Sequence, residues 1–459
     1  MFYGRQQELS FLEKKFHTPG SQLLALYGRR RTGKTQLLKR FCENKEHSFY
    51  VCRETTDAEQ IRLFSRKILE GSPLGQYIDT FESWEKAFSF LMEESRRQRR
   101  VLVIDEFPYM VQNNPSVPSV LQQVWDQGHQ DSQLMLIITG SAMTTMEQDI
   151  LGGDSPLFGR TDGIFQVDEL SMESSLEFLG GSSRDNIRAW ALLGGVPRYL
   201  KAWDTRLSLE ENLETNVLSK GSMLYSEVEF LMKQDLRETS TYFTILEALA
   251  RGEHRIGEIS RTTGLDRTKI NVYLKNLMGM GVVDRIYPLP LEPGQEPGPH
   301  SSSYRISNHF FRFHFRFIYP NYSLLEENEV SQVLDQRIRP HLAEFIGESL
   351  IGGVRERIRS LSPESSLPFI PLELDPYWDK DTSLDLVATN GAGQLLAVGI
   401  HAEDQPATLA QLELLREKTY ALRRPGWQKT CLLASLSGFD ETLVRMSRLD
   451  ESIILLPIE

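Results

Sequence analysis

Gly28-Arg29-Arg30-Arg31-Thr32-Gly33-Lys34-Thr35 decides the reading of this chain. It meets the pattern G-x-x-x-x-G-K-[S/T] at every fixed position. The apolar run 22–27 (QLLALY) precedes it directly and a helical stretch, 36–41, follows. Strand, glycine-rich turn and helix in that order form a phosphate-binding loop. The glycines let backbone amides turn inward around phosphate oxygens, and the helix N-terminus adds the positive end of its dipole. In this reading residues 28–35 contact a nucleotide. Lys34 neutralises the β- and γ-phosphates and so also serves catalysis, and the Thr35 hydroxyl is placed to ligate Mg²⁺.

Such a site needs carboxylates from a neighbouring strand end. The run 101–104 (VLVI) delivers Asp105 and Glu106. Asp105 is expected to hold the magnesium and Glu106 to polarise the attacking water as a general base. A third run, 134–139 (LMLIIT), ends in Thr139-Gly140-Ser141. Ser141, favoured over Thr139, reads either as a catalytic contact to the γ-phosphate or lytic water, or as an ordinary strand cap. All three runs are short and continuously apolar, as parallel strands buried on both faces are.

The 459 residues suffice for two to four domains, and 40% apolar with 25% charged residues is a globular balance. No apolar run approaches the ~20 residues that span a bilayer, and the start resembles no secretory signal. Three cysteines, Cys42, Cys52 and Cys431, make neither a disulfide framework nor a metal clip. A cytoplasmic protein with no membrane partner is expected. A net charge of −12 and a pI near 5.4 argue against a surface that coats nucleic acid throughout, and leave room for a local basic face.

The expected fold class is α/β: a parallel sheet carrying the phosphate loop at 1–170, then a helical lid at 171–238. Residues 239–292 read as a winged helix-turn-helix, with Thr263-Gly264-Leu265 as its turn and 268–280 as its third helix. On that helix Arg267, Lys269, Asn271, Lys275 and Asn276 offer donors to phosphates and base edges, while Ile270, Leu274 and Leu277 face a core. DNA contact and a purely packing role both stay open. A mobile Pro/Gly/Ser-rich loop, Leu291 to Ser303, leads to an aromatic stretch, Tyr304 to Tyr319, within a connector at 293–340. There Phe310, Phe311, Phe313, Phe315 and Phe317 are expected to pack between the winged helix and a C-terminal α/β domain at 341–459.

Several segments together resemble the prokaryotic, archaeal-type ATPases of the STAND/AAA+ P-loop class. Phe2-Tyr3-Gly4-Arg5-Gln6-Gln7-Glu8-Leu9 is similar to their opening F-x-G-R-x-x-E-L segment, Leu157-Phe158-Gly159-Arg160 to L-[YF]-G-R, and Gly194-Gly195-Val196-Pro197 to the lid's GG-x-P. The resemblance implies that Gly4 and Arg5 approach the base or ribose and that Pro197 lines the adenine pocket. It makes Arg160 a candidate arginine finger, with a surface salt bridge as its other reading, and Arg198 a lesser candidate for a lid sensor arginine. An arginine finger acting in trans requires a homo-oligomer. The resemblance also implies a C-terminal domain of the restriction-endonuclease-like PD-(D/E)xK kind. Asp385 stands in one strand of that pattern. Where it places E-x-K, this chain has Gly399-Ile400-His401, so the domain reads as a degenerate scaffold, with Glu344, Glu348, Glu403 or Asp404 left as partial metal ligands.

The resulting expectation is an ATP- and Mg²⁺-dependent switch or motor whose partners are adenine nucleotide and, through the winged helix, DNA. An ATP-powered DNA nuclease and a non-hydrolysing nucleotide-binding scaffold are the alternatives. The missing E-x-K weighs against the first, and Glu106 beside Asp105 against the second.

Overall fold

The computed structural model describes residues 2–458 except 142, 144, 237, 292–297, 299–300, 362–366, 372, 423 and 425. Most of the Pro/Gly-rich loop expected from Leu291 to Ser303 therefore lies outside the described residues. The chain forms two compact units. The first comprises Met1–Leu170 with Val196–Arg198 and Gly279–Gly281, and the second the remainder.

The first unit is built on a parallel sheet of β1 (Gln22–Tyr27), β2 (His47–Val51), β3 (Arg100–Asp105), β4 (Leu134–Gly140) and β5 (Gly163–Gln166), ordered β2-β3-β4-β1-β5. Alternation along the buried strands feeds two cores. Leu24, Leu26, Val101, Val103, Met135 and Ile137 face the helices Gln6–His17 and Lys34–Cys42. Leu23, Ala25, Leu102, Ile104, Leu136 and Ile138 face Asp57–Leu69, Trp84–Glu94 and Val117–Gly128. One expectation is corrected, and two strands join the three read from the sequence. The strand bearing Asp105 is not the neighbour of the phosphate-loop strand, because β4 pairs with both. β2 and β5 lie at the sheet edges, where alternate positions face solvent and no continuous apolar run is required.

In the second unit Ser171, Ser183 and Ser208 each cap a helix by accepting the amide of the residue three positions on. Helices Ser240–Ala250, Ile256–Thr263 and Arg267–Gly279 precede β6 (Val283–Ile286). Gly264, at φ 71, closes the second of these helices, a conformation that favours glycine. β6 pairs antiparallel with β7 (Ser303–Ile306), so the wing's second strand arises beyond the Pro/Gly loop, in residues assigned above to the connector. Phe310, Phe311, Phe313, Phe315 and Phe317 are all buried. Phe315 meets Phe243 of the winged helix, while Phe313 and Phe317 meet Phe345 of the helix Leu342–Ser360.

The last sheet is mixed, ordered β12-β11-β10-β9-β8. It comprises β8 (Asp375–Trp378), β9 (Ser383–Thr389), β10 (Gln394–His401), β11 (Gln428–Ser435) and β12 (Ile453–Pro457). β9 runs antiparallel to its neighbours β8 and β10, β11 pairs parallel with β10, and β12 pairs parallel with β11. Among the described residues no helix is long and apolar enough to cross a membrane.

Candidate active site

The phosphate loop leaves β1 at Gly28, φ 150. A Cβ there would stand 2.3 Å from the Val167 carbonyl oxygen, so only glycine fits. Gly33, φ 95, opens the helix Lys34–Cys42. Within the loop the Thr32 hydroxyl donates to the Arg29 carbonyl at 3.0 Å. Arg29 pairs with Glu169 at 3.5 Å, Arg30 donates to the Tyr109 hydroxyl at 3.3 Å, and Arg31 takes a left-handed φ of 71. Lys34 is buried, its Nζ donating to the carbonyls of Gly28 at 2.6 Å and Arg29 at 2.9 Å. Desolvation lowers its pKa to about 8, against the upward pull of Glu106 and Asp105.

The ends of β3 and β4 complete the cluster. The Thr35 hydroxyl donates to Asp105 Oδ2 at 2.7 Å, joining the phosphate loop to the acidic strand. The Thr139 hydroxyl donates to Asp105 Oδ1 and accepts the Glu106 amide at 3.3 Å. Asp105 and Thr139 are buried. Glu106 takes φ 57, an uncommon conformation for a residue with a side chain and one that collects at active sites. Ser141 holds it there. Its amide donates to Glu106 Oε2 at 3.1 Å and its hydroxyl to Oε1. β4 thus orients both carboxylates, Thr139 aiming Asp105 and Ser141 aiming Glu106. The sequence reading weighed Thr139 only as an alternative to Ser141 at the γ-phosphate, and its bond to Asp105 was not foreseen.

The residues singled out by resemblance fall in different places. Arg5, φ 68, donates to the carbonyls of Thr32 at 2.8 Å and Asp168 at 2.6 Å and pairs with Glu8 at 2.7 Å. It therefore braces the back of the phosphate loop, and Gly4 beside it is buried, φ 62. Pro197 reaches the loop: its Cγ lies 3.8 Å from where a Cβ on Gly33 would stand. Arg198 is exposed. Arg160 binds Asp126 through Nε at 3.0 Å and through its terminal nitrogen at 2.9 Å. Among the described residues its hydrogen bonds go to Asp126 and the Phe158 carbonyl, not to the phosphate loop or the Asp105–Glu106 pair.

Comparison with known proteins bears on the family and the fold. The pattern of an ATPase domain predominantly from Archaea matches residues 2–202. That of the arsR family of bacterial regulatory proteins matches 240–285, and one of archaeal and bacterial proteins of unknown function matches 314–404. An uncharacterized protein of Methanocaldococcus jannaschii, MJECL04, is 31% identical over 392 residues, covering 85% of this chain and 84% of that protein. The chain belongs to the archaeal-type P-loop ATPases. A second M. jannaschii relative, named an uncharacterized ATP-binding protein, is 54% identical over 46 residues, 10% of this chain and 78% of its own. Among solved structures, the Walker-type ATPase of Pyrococcus abyssi superposes with a TM-score of 0.50 at 20% identity, over 69% of this chain and 96% of that one. That likeness concerns the fold.

Elsewhere in this ATPase the helix Arg267–Gly279 buries Ile270, Leu274 and Leu277 and exposes Arg267, Lys269, Asn271 and Lys275. Asn276 donates to the Tyr242 hydroxyl at 2.8 Å. In β10 a Cβ on Gly399 would stand 3.2 Å from Leu415, and buried His401 lies 2.8 Å from the Gln405 carbonyl. Of the carboxylates considered there, Glu344 and Glu348 are bound by Arg316, and Asp404 by Arg188. Among the described residues no group of three His, Cys, Asp or Glu is placed to hold a metal.

Proposed function

We propose that this ATPase hydrolyses ATP with magnesium and uses the cycle to switch its winged helix on DNA. The observation that carries the reading is the hydrogen-bonded set Thr35–Asp105–Thr139 and Glu106–Ser141 beside buried Lys34. Hydroxyl and carboxylate oxygens are the hard donors magnesium prefers, so Thr35 and Asp105 fit that ion. Bound there, it would neutralise charge on the β- and γ-phosphate oxygens. The inward amides of residues 28–35 bind the phosphates, Lys34 meets their charge, and Pro197 offers an apolar edge for the base. Glu106, aimed by Ser141, accepts the proton of the attacking water. Arg160 is the finger that a second copy would receive, which requires its release from Asp126 and makes the working form a homo-oligomer.

The exposed donors of Arg267–Gly279 support DNA as the partner of the winged helix. We assign no nuclease chemistry to the C-terminal domain, since Gly399 and His401 occupy the positions of the missing carboxylate and lysine. ATP turnover, measured with and without Mg²⁺ and with and without double-stranded DNA, tests the reading. The expected result is Mg²⁺-dependent hydrolysis that changes with DNA only while Lys269 and Lys275 are intact. Mg²⁺-independent turnover, or none, would overturn the hydrolytic assignment. Indifference to DNA would return the winged helix to packing.

A further inference from the structure

The second unit contains a cleft of about 1080 Å³ that the ATPase reading does not use. It lies between the wing, the aromatic helices, the helix Leu342–Ser360 and the start of the C-terminal sheet. Arg305, Arg312, Arg316, Trp378 and Asp385 are among its lining. The acidic groups around it are mostly engaged. Glu344 and Glu348 bind Arg316 at 2.9 and 3.4 Å. Glu258 accepts the amides of His254 and Arg255, both at 3.0 Å. Asp379 accepts the Tyr377 hydroxyl at 2.9 Å and the amides of Asp381 and Thr382, both at 2.8 Å.

The cations are less well matched. Arg312 keeps one edge open to the cleft and is otherwise enclosed by protein. Its guanidinium lies over the Phe345 ring at 4.7 Å and donates to the Ser349 hydroxyl, while its Nε has no hydrogen-bond partner. Burial lowers its pKa to about 10, and the nearby charges of Arg305 and Arg316 press in the same direction, against Glu348. Neither Arg312 nor Arg305 makes an ion pair among the described residues, and the cleft's remaining carboxylate, Asp385, has its pKa raised by desolvation with Lys418 as its charged neighbour. An enclosed guanidinium that no carboxylate pairs directly is unfavourable unless an anion meets it. Its planar fork suits the paired oxygens of a phosphate. Trp378, fixed by its Nε1 donating to the Ser301 carbonyl at 3.1 Å, adds a flat aromatic ring to the same lining.

We propose that this cleft binds single-stranded nucleic acid, with Arg305 and Arg312 gripping a backbone phosphate and Trp378 stacking on a base. Arginines combined with a stacking ring are how single strands are held without sequence readout. Its lining shares no residue with the ATP site or with the helix Arg267–Gly279.

The test is fluorescence anisotropy of the full chain with a labelled single-stranded oligonucleotide, titrated across salt concentrations. Arg305→Ala, on a partly exposed wing position, is expected to weaken binding roughly tenfold and to reduce the log–log salt slope by about 0.7, the loss of one phosphate contact. Arg312→Gln is expected to do the same, and Trp378→Ala to weaken binding while leaving the salt slope intact. Glu106→Gln and the Lys269→Ala/Lys275→Ala pair should leave single-strand binding unchanged, which separates this site from the proposed function. No binding by the wild type, equal binding by Arg305→Ala, or a preference for duplex that Lys269→Ala/Lys275→Ala abolishes would overturn the proposal. So would capture of a free mononucleotide through Arg305 as tight as that of the strand.

Discussion

Replacing Thr139 by valine removes one hydroxyl and almost no volume. Thr139 is fully buried at the end of β4, so the isosteric change leaves its packing in place. It takes away the donor to Asp105 Oδ1 and the acceptor of the Glu106 amide. A hydrogen bond to a charged group contributes about 1.5–3 kcal/mol, which converts to roughly 10- to 150-fold in an equilibrium. Removing an outer partner of a metal-binding carboxylate weakens the metal by about 10–100-fold, the same range. ATP turnover titrated with Mg²⁺ should therefore show half-saturation raised at least tenfold in Thr139→Val, with nucleotide affinity in the absence of Mg²⁺ little altered. Thr139→Ser keeps the hydroxyl and should behave as wild type. An unchanged Mg²⁺ dependence in Thr139→Val, with the protein folded, would refute the claim that this residue aims Asp105.

Gly28→Ala places a methyl 2.3 Å from the Val167 carbonyl oxygen and should abolish nucleotide binding, read by calorimetry; wild-type affinity would mean that the loop does not have this shape. Lys34 titrates near pH 8 before ligand arrives, lowered by desolvation. ATP selects its charged form, which is complete below that pH and lost above it. Affinity should be flat below about pH 7 and fall by up to tenfold per unit above pH 8, and a flat profile to pH 10 would count against the assignment. A mixture of Arg160→Ala and Lys34→Ala chains should recover part of the turnover that each lacks alone; no recovery at any ratio would leave Arg160 as the partner of Asp126.

Much of this architecture was legible because burial on both faces of a parallel strand forces continuous apolar runs, as in β1, β3 and β4. β2 and β5 escaped because edge strands bury only alternate residues. The insertion of β4 between β1 and β3 was also hidden, since strand order is set by helices crossing the sheet, which leave no local mark on the strands. At the site, Lys34, Thr35, Asp105 and Glu106 could be read from spacing, because phosphate and metal chemistry fixes those residue types. The bond from Thr139 to Asp105 and the bracing role of Arg5 could not. Each acts through contacts more than 25 positions away, Arg5 with Thr32 at a separation of 27 and Thr139 with Asp105 at 34. The wing's second strand was concealed for a similar reason, lying beyond a loop whose composition looked like a domain boundary. In the aromatic stretch the burial of Phe310 to Phe317 accords with packing, and the basic residues between those rings left a cleft whose lining spans more than 130 positions of the chain.

The most direct test of the central claim is Glu106→Gln, assayed for ATP affinity and for turnover in the same preparation. The side chain keeps its shape and its place beside Ser141 while losing the basic oxygen. ATP affinity should stay within about twofold of wild type while turnover falls by roughly 10²–10⁴, the usual contribution of a positioned general base. Turnover equal to wild type would contradict the account.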